Sequence, residues 1–147
     1  MSTTEVLEIL SSSYMLSFVR DYLATKAMDK AWKSFEAKWP VEYQLICALQ
    51  DSLQSFCELM NWEYDSTAIS DTFTYRLQEL GGITSKSSLL KVLSEATEMK
   101  IDSNMLDLWV NCFYLSISHP EREELYKNLI SSNVFKASED INLIKKV

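Results

Sequence analysis

Two glycines (Gly81, Gly82) and two prolines (Pro40, Pro120) are all that this 147-residue chain contains. Strand-rich folds need frequent tight turns, built on the positive φ that glycine tolerates or the fixed φ that proline imposes. A chain so poor in turn formers reads as all-α. With 47% apolar and 12% aromatic residues it can build a continuous core, at a length where folding buries about two-thirds of the surface. The expectation is a single helical domain over residues 1–147: a globular bundle of seven or eight helices around a buried central helix near residues 103–118.

The periodicity supplies the elements. Ser2 and Glu5 have the spacing of a capping box, which opens a short N-terminal arm within residues 1–12 before Ser11-Ser12-Ser13 interrupts it. Met15, Phe18, Val19 and Tyr22 form one stripe, and Ala27, Met28, Ala31, Trp32 and Phe35 form another about half a turn away, which places a break near Ala24-Thr25. Pro40 suits the first turn of a helix in which Leu45, Ile46, Leu49, Leu53, Phe56 and Met60 share an arc of about 100°. Ser66 is placed to cap a helix anchored by Ile69, Phe73, Leu77 and Leu80, which Gly81-Gly82 ends in left-handed conformation.

Thr84 or Ser85 caps a helix carrying Leu89, Val92, Leu93 and Ala96. In the next segment apolar residues from Met105 to Ile117 surround the axis and leave only a polar strip of Asp107, Asn111 and Ser118, the pattern of a helix buried on all sides. His119-Pro120 breaks the chain, and Pro120 starts a helix with Glu121, Glu123 and Glu124 in its first turn. A turn over 133–137 precedes a short C-terminal helix over 138–147, whose end is expected to fray. No internal repeat and no family motif is identifiable.

Charge is distributed unevenly. From Trp39 to Tyr75 the chain holds six carboxylates (Glu42, Asp51, Glu58, Glu63, Asp65, Asp71), seven aromatics (Trp39, Tyr43, Phe56, Trp62, Tyr64, Phe73, Tyr75) and no Lys or Arg. These six nearly account for the net charge of −7, so the acidity is local. The neighbouring stretch with Arg20, Lys26, Lys30, Lys33 and Lys38 is offset by Asp21, Asp29 and Glu36. Direct nucleic-acid binding needs uncompensated phosphate contacts and is not indicated; membrane-surface binding meets the same objection.

No apolar run approaches the roughly 20 residues that span a bilayer, and the N-terminus lacks the pattern of a secretory signal. Cys47, Cys57 and Cys112 form no CxxC pair and read as reduced thiols, pointing to the cytoplasm or nucleus. A single histidine, His119, leaves no donor set for a zinc or di-iron centre, so neither metal nor cofactor is expected. The adjacent glycines follow a helix instead of preceding one, unlike a phosphate-binding loop. Cys112 and His119 lie seven residues apart on one helical face, yet an apolar helix raises a thiol pKa and disfavours the thiolate a nucleophile needs.

The sequence thus points to a non-catalytic interaction module, an adaptor or inhibitor, that presents an acidic and aromatic surface to a basic protein partner. The candidate binding residues are Tyr43, Asp51, Glu58, Trp62, Glu63, Tyr64 and Asp65, with aromatic anchors inside a charged rim. Three alternatives remain: a nucleic-acid-mimicking inhibitor, an enzyme using Cys112 or a carboxylate pair, and self-association as a homodimer through the surplus of aromatic residues.

Overall fold

A computed structural model of the chain describes residues 1–11, 20 and 40–131. Within them the protein is all-α, with six α-helices, one 3-10 turn and no strand. The helices are α1 (Thr3–Ser11), α2 (Pro40–Leu59), α3 (Ser66–Glu79), α4 (Lys86–Thr97), α5 (Ser103–Ile117) and α6 (Glu123–Ser131); the 3-10 turn Pro120–Arg122 joins α5 to α6. The expected stripes between residues 14 and 39, and the expected turn and helix after 132, lie outside the described residues.

α2 is the axis of this assembly, packing against α5, α3 and α6, while α4 packs on α3 and α1 reaches α5. The apolar arc of α2 accounts for this: Leu45, Ile46, Leu49, Leu53 and Phe56 are all buried. They meet Phe73 and Leu77 of α3, and Leu106, Trp109, Val110, Phe113 and Ile117 of α5, in one continuous core. At its centre Trp109 is fully buried, its ring 5.9 Å from that of Phe73 and 5.4 Å from that of Phe113. Its indole Nε1–H donates to Ser52 Oγ (3.2 Å), and Ser52 in turn donates to the Leu49 carbonyl (2.7 Å). The one polar atom of the Trp109 ring is therefore satisfied in the interior.

The caps follow from local chemistry. Ser2 and Glu5 form the expected capping box, with Glu5 N–H donating to Ser2 Oγ (3.2 Å) and Ser2 N–H to Glu5 Oε1 (3.0 Å). Ser85 caps α4 and Asp102 caps α5. α3 departs from expectation: Asp65, not Ser66, is its cap, accepting from Thr67 N–H (3.0 Å) and Ala68 N–H (3.1 Å). A carboxylate is the stronger acceptor at the positive end of a helix dipole. Pro120 opens a 3-10 turn instead of a regular helix, and the first turn of α6 is tied to α2 where Leu125 N–H donates to Gln44 Oε1 (3.0 Å).

The apolar surround of residues 103–118 suggested a helix covered on every side, and α5 differs from that. It buries Leu106, Trp109, Val110, Cys112, Phe113, Ser116 and Ile117, but Leu108 and Leu115 remain 43% and 67% exposed. Asn104, Asp107, Asn111 and Ser118 are exposed as well. A helix buries the arc that meets its neighbours, and here the two leucines fall beside the polar strip, outside that arc.

Gly81 and Gly82 end α3 in a Schellman arrangement. Gly82 N–H donates to the Leu77 carbonyl (3.0 Å) and Gly81 N–H to that of Gln78 (3.1 Å), with φ of +67° at Gly81 and +105° at Gly82. The two glycines are not equivalent. A Cβ on Gly81 would meet open space, whereas one on Gly82 would lie 3.1 Å from the Leu10 carbonyl oxygen and 3.3 Å from Ser11 Cα, where Ile83 N–H also donates to Leu10 (3.2 Å). Gly81→Ala should therefore cost about 1–2 kcal/mol for the left-handed conformation. Gly82→Ala should cost about 1–3 kcal/mol more through the clash with the end of α1. Urea unfolding of the two variants measures this order; equal losses would mean that α1 does not pack on the glycine pair.

Candidate functional site

An open groove of about 650 Å³ runs between α2 and α5. Asp51, Gln54, Ser55, Glu58 and Leu59 line one wall, Cys112, Leu115 and Ser116 the other, and His119 and Arg122 close one side. The wall residues recur at intervals of seven: Asp51 with Glu58 on α2, and Cys112 with His119 at the end of α5. Seven residues are close to two helical turns, so each pair stays on one face. Leu59 and Leu115 are 66% and 67% exposed, an unusual placement for two leucines on well-packed helices.

Among the described residues Arg122 is the sole Lys or Arg lining this groove, and it is buried at 8% exposure. Its guanidinium donates to the Ser116 carbonyl (3.0 Å) and to the Asp51 carboxylate, which anchors the 3-10 turn against both helices. Arg122 Nε has no hydrogen-bond partner among the described residues. Glu58 accepts from the Tyr64 hydroxyl (2.7 Å) and from the Gln54 side-chain amide (3.3 Å). These bonds, led by that from Tyr64, hold the Glu58 carboxyl below its ordinary pKa, and the carboxylate in turn raises the Tyr64 hydroxyl.

The sequence-predicted residues fall into three groups. Glu58, Trp62 and Tyr64 come together at the end of α2, with Glu63 exposed beside them. Here Asn61 takes a left-handed φ of +56°, and Trp62 N–H donates to the Cys57 carbonyl (3.0 Å). This is a second Schellman cap, in which Trp62 packs edge-on against Phe56 with ring centroids 5.7 Å apart. Trp62 and Tyr64 are thus half-buried against the core instead of standing free as anchors. Asp51 lies midway along α2 in its ion pair, and Asp65 is occupied as the cap of α3. Tyr43 stands apart, fifteen residues or about 22 Å of helix before Glu58, beside Gln44 and Glu124 in a separate recess of about 470 Å³.

Leu59, Leu115 and His119 completed the groove without having been singled out as binding residues. A signal for Leu59 existed, since it stands outside the main apolar arc of α2 on the side of Ser52 and Ser55. Leu115 gave none within a segment that is apolar in every direction.

Cys112 is buried, and burial pushes its thiol pKa up. His119 Nδ1 accepts from the Glu121 backbone N–H (3.2 Å) as the cap of the 3-10 turn. Among the described residues no hydrogen bond joins Cys112 to His119, and no group of three His, Cys, Asp or Glu side chains is placed to hold a metal ion. Cys47, Cys57 and Cys112 form no disulfide. No described helix is long and apolar enough to cross a membrane.

The site therefore belongs to an all-α protein with an open acidic and leucine-lined groove between two packed helices. No protein-family model, curated protein or solved structure matches the chain.

Two predictions separate the roles of the carboxylates. Stability from the lowered Glu58 pKa is present above the carboxyl's ordinary value and is lost as pH falls through the lowered one. Tyr64→Phe should accordingly move the Glu58 titration, followed by carboxyl NMR, back up toward that ordinary value; an unmoved titration would mean that the hydroxyl bond is not formed. Asp51→Ala should destabilise the fold by about 1–3 kcal/mol in urea unfolding, because it strips a buried guanidinium of its carboxylate although Asp51 itself is half exposed. Unchanged stability would show the Arg122 pair to be dispensable.

Proposed function

We propose that this protein is a non-catalytic interaction module, an adaptor or inhibitor, whose groove between α2 and α5 receives a basic protein partner. The observation that carries this reading is the composition of the groove. Two strongly exposed leucines, Leu59 and Leu115, stand beside Asp51 and Glu58, and among the described residues the only lining Lys or Arg is buried in an ion pair. Exposed apolar side chains within a rim of one charge are the usual make-up of a protein-binding surface. Trp62 and Tyr64 enter this reading as the support that fixes Glu58 and the end of α2, rather than as the contact itself.

The raised Cys112 thiol pKa favours a binding role over the use of this residue as a nucleophile. A nucleic-acid mimic is less favoured, because it needs many carboxylates free to imitate phosphates, and Asp51 and Asp65 are held by Arg122 and by the α3 cap. The proposal treats residues 1–147 as one helical domain. It places the protein in a reducing compartment, where its buried cysteines stay thiols.

Affinity capture from cell extract tests the reading, with the wild type compared with Leu59→Asn/Leu115→Asn and Glu58→Gln variants at low and moderate salt. The expected result is a basic protein retained by the wild type, lost from the double leucine variant and weakened by Glu58→Gln mainly at low salt. Equal retention by all variants would remove the groove as the binding site.

A further inference from the structure

His119 is the single histidine of the chain, and it caps the 3-10 turn between α5 and α6 through a ring nitrogen. Its Nδ1 accepts from the Glu121 backbone N–H (3.2 Å), while its own carbonyl accepts from the Arg122 N–H (2.9 Å). The usual caps are hydroxyls, carboxylates and amides, whose oxygens remain acceptors throughout the neutral pH range. An imidazole nitrogen accepts only while the ring is neutral; imidazolium carries hydrogen on both nitrogens and can only donate. Gaining a proton therefore removes this cap whichever way the ring is turned. Imidazole is also the side chain whose unperturbed charge change falls between about pH 5 and 8.

We infer that His119 is a pH-dependent cap. With a neutral ring it holds the Glu121 N–H and keeps the start of the turn closed. With a protonated ring it releases that N–H, leaves the turn on the bond from the Arg122 N–H, and adds a positive charge to the groove between α2 and α5. The surroundings accommodate both states. His119 is exposed, so the ring has room to turn. Among the described residues the ionisable groups that share the groove with it are Asp51 and Glu58 of α2, Cys112 of α5 and Arg122 of the turn. Glu121 follows it in the turn, and Glu123 and Glu124 open α6. The carboxylates attract an imidazolium and offer acceptors for its two N–H groups. Arg122 repels it, but the guanidinium is turned toward Asp51 and the Ser116 carbonyl. Cys112 stays a neutral thiol across this range, because burial raises its pKa. The effect reaches beyond the cap, since the same three-residue turn carries the side chain that ties α2 to α5. Nothing in this switch depends on what occupies the groove, so the protein alone suffices to test it.

The experiment is an NMR titration of the isotope-labelled full chain from about pH 8 to about pH 5, the range in which imidazole changes charge, following the His119 ring and the Glu121 amide together. At the upper end the ring nitrogen shifts should show Nδ1 bare and the hydrogen on Nε2. As the ring takes up its proton, the Glu121 amide resonance should move with the same midpoint, toward the position it holds in His119→Ala, where no side-chain cap exists at any pH. His119→Asn keeps an acceptor at the cap but cannot titrate, and its Glu121 amide should lose the step that follows the ring. Thermal melting checks that both variants are folded; should His119→Ala melt early, the wild type and His119→Asn still decide the matter.

A hydrogen on Nδ1 of the neutral ring would overturn the pH-dependent cap, because that nitrogen could not then accept from Glu121. A Glu121 amide that stays fixed while the ring titrates would overturn it too. A step of equal size in the wild type and in His119→Asn would assign the response to the neighbouring carboxylates, and the switch would fall with it.

Discussion

The bond between Trp109 and Ser52 is the constraint on which the described structure turns. A tryptophan can be wholly buried only if its indole N–H finds an acceptor in the interior. Ser52 provides one from the inward side of α2. This fixes the rotation of α2 and α5 about their own axes, because Ser52 must face Trp109 while Phe73 and Phe113 pack against the ring. Once those rotations are set, the remaining faces are set as well. Asp51 and Glu58 fall on one outer side of α2 and Leu115 on the outer side of α5, and the groove is what lies between them.

A second set of polar contacts closes the end of the bundle. Arg122 holds Asp51 and the Ser116 carbonyl together, and Gln44 takes up an N–H from the first turn of α6. Three polar side chains of α2 are thus committed to holding other elements in place: Ser52 to α5, Gln44 to α6 and Asp51 to the turn between them. The arrangement explains why one acidic residue on this helix is structural while its heptad neighbour is not. Asp51 faces a buried cation, whereas Glu58, two turns further on, meets the hydroxyl of Tyr64 and the amide of Gln54.

Much of this architecture was legible in the chain. Scarcity of glycine and proline implied helices, and the capping box at Ser2, the first-turn proline at 40 and the Gly81-Gly82 stop all stand where the residues put them. What the pattern could not convey was competition between residues for one role. Asp65 and Ser66 both suit a cap, and the stronger acceptor took it. Trp62 looked like an exposed anchor because it sits in a polar turn, but a left-handed Asn61 folds the chain back and lays the indole on Phe56. Leu115 was hidden by its own surroundings: a helix apolar in all directions does not reveal which of its leucines has no neighbour to cover it.

This uncovered face bears on function through the imbalance it creates. A leucine 67% exposed is ordinary when isolated, since most protein surfaces carry scattered apolar atoms. Here Leu115 has Leu59 across the groove, Leu108 two turns away on its own helix and carboxylates on the opposite wall. Among the described residues no exposed Lys or Arg stands in that lining to neutralise them, because Arg122 is turned inward to hold the turn. Keeping that cation buried therefore does two things at once: it fastens α5 to α2, and it leaves the potential of the groove to Glu58 and the outer edge of Asp51. A partner bringing both apolar surface and positive charge would meet both complements in one groove.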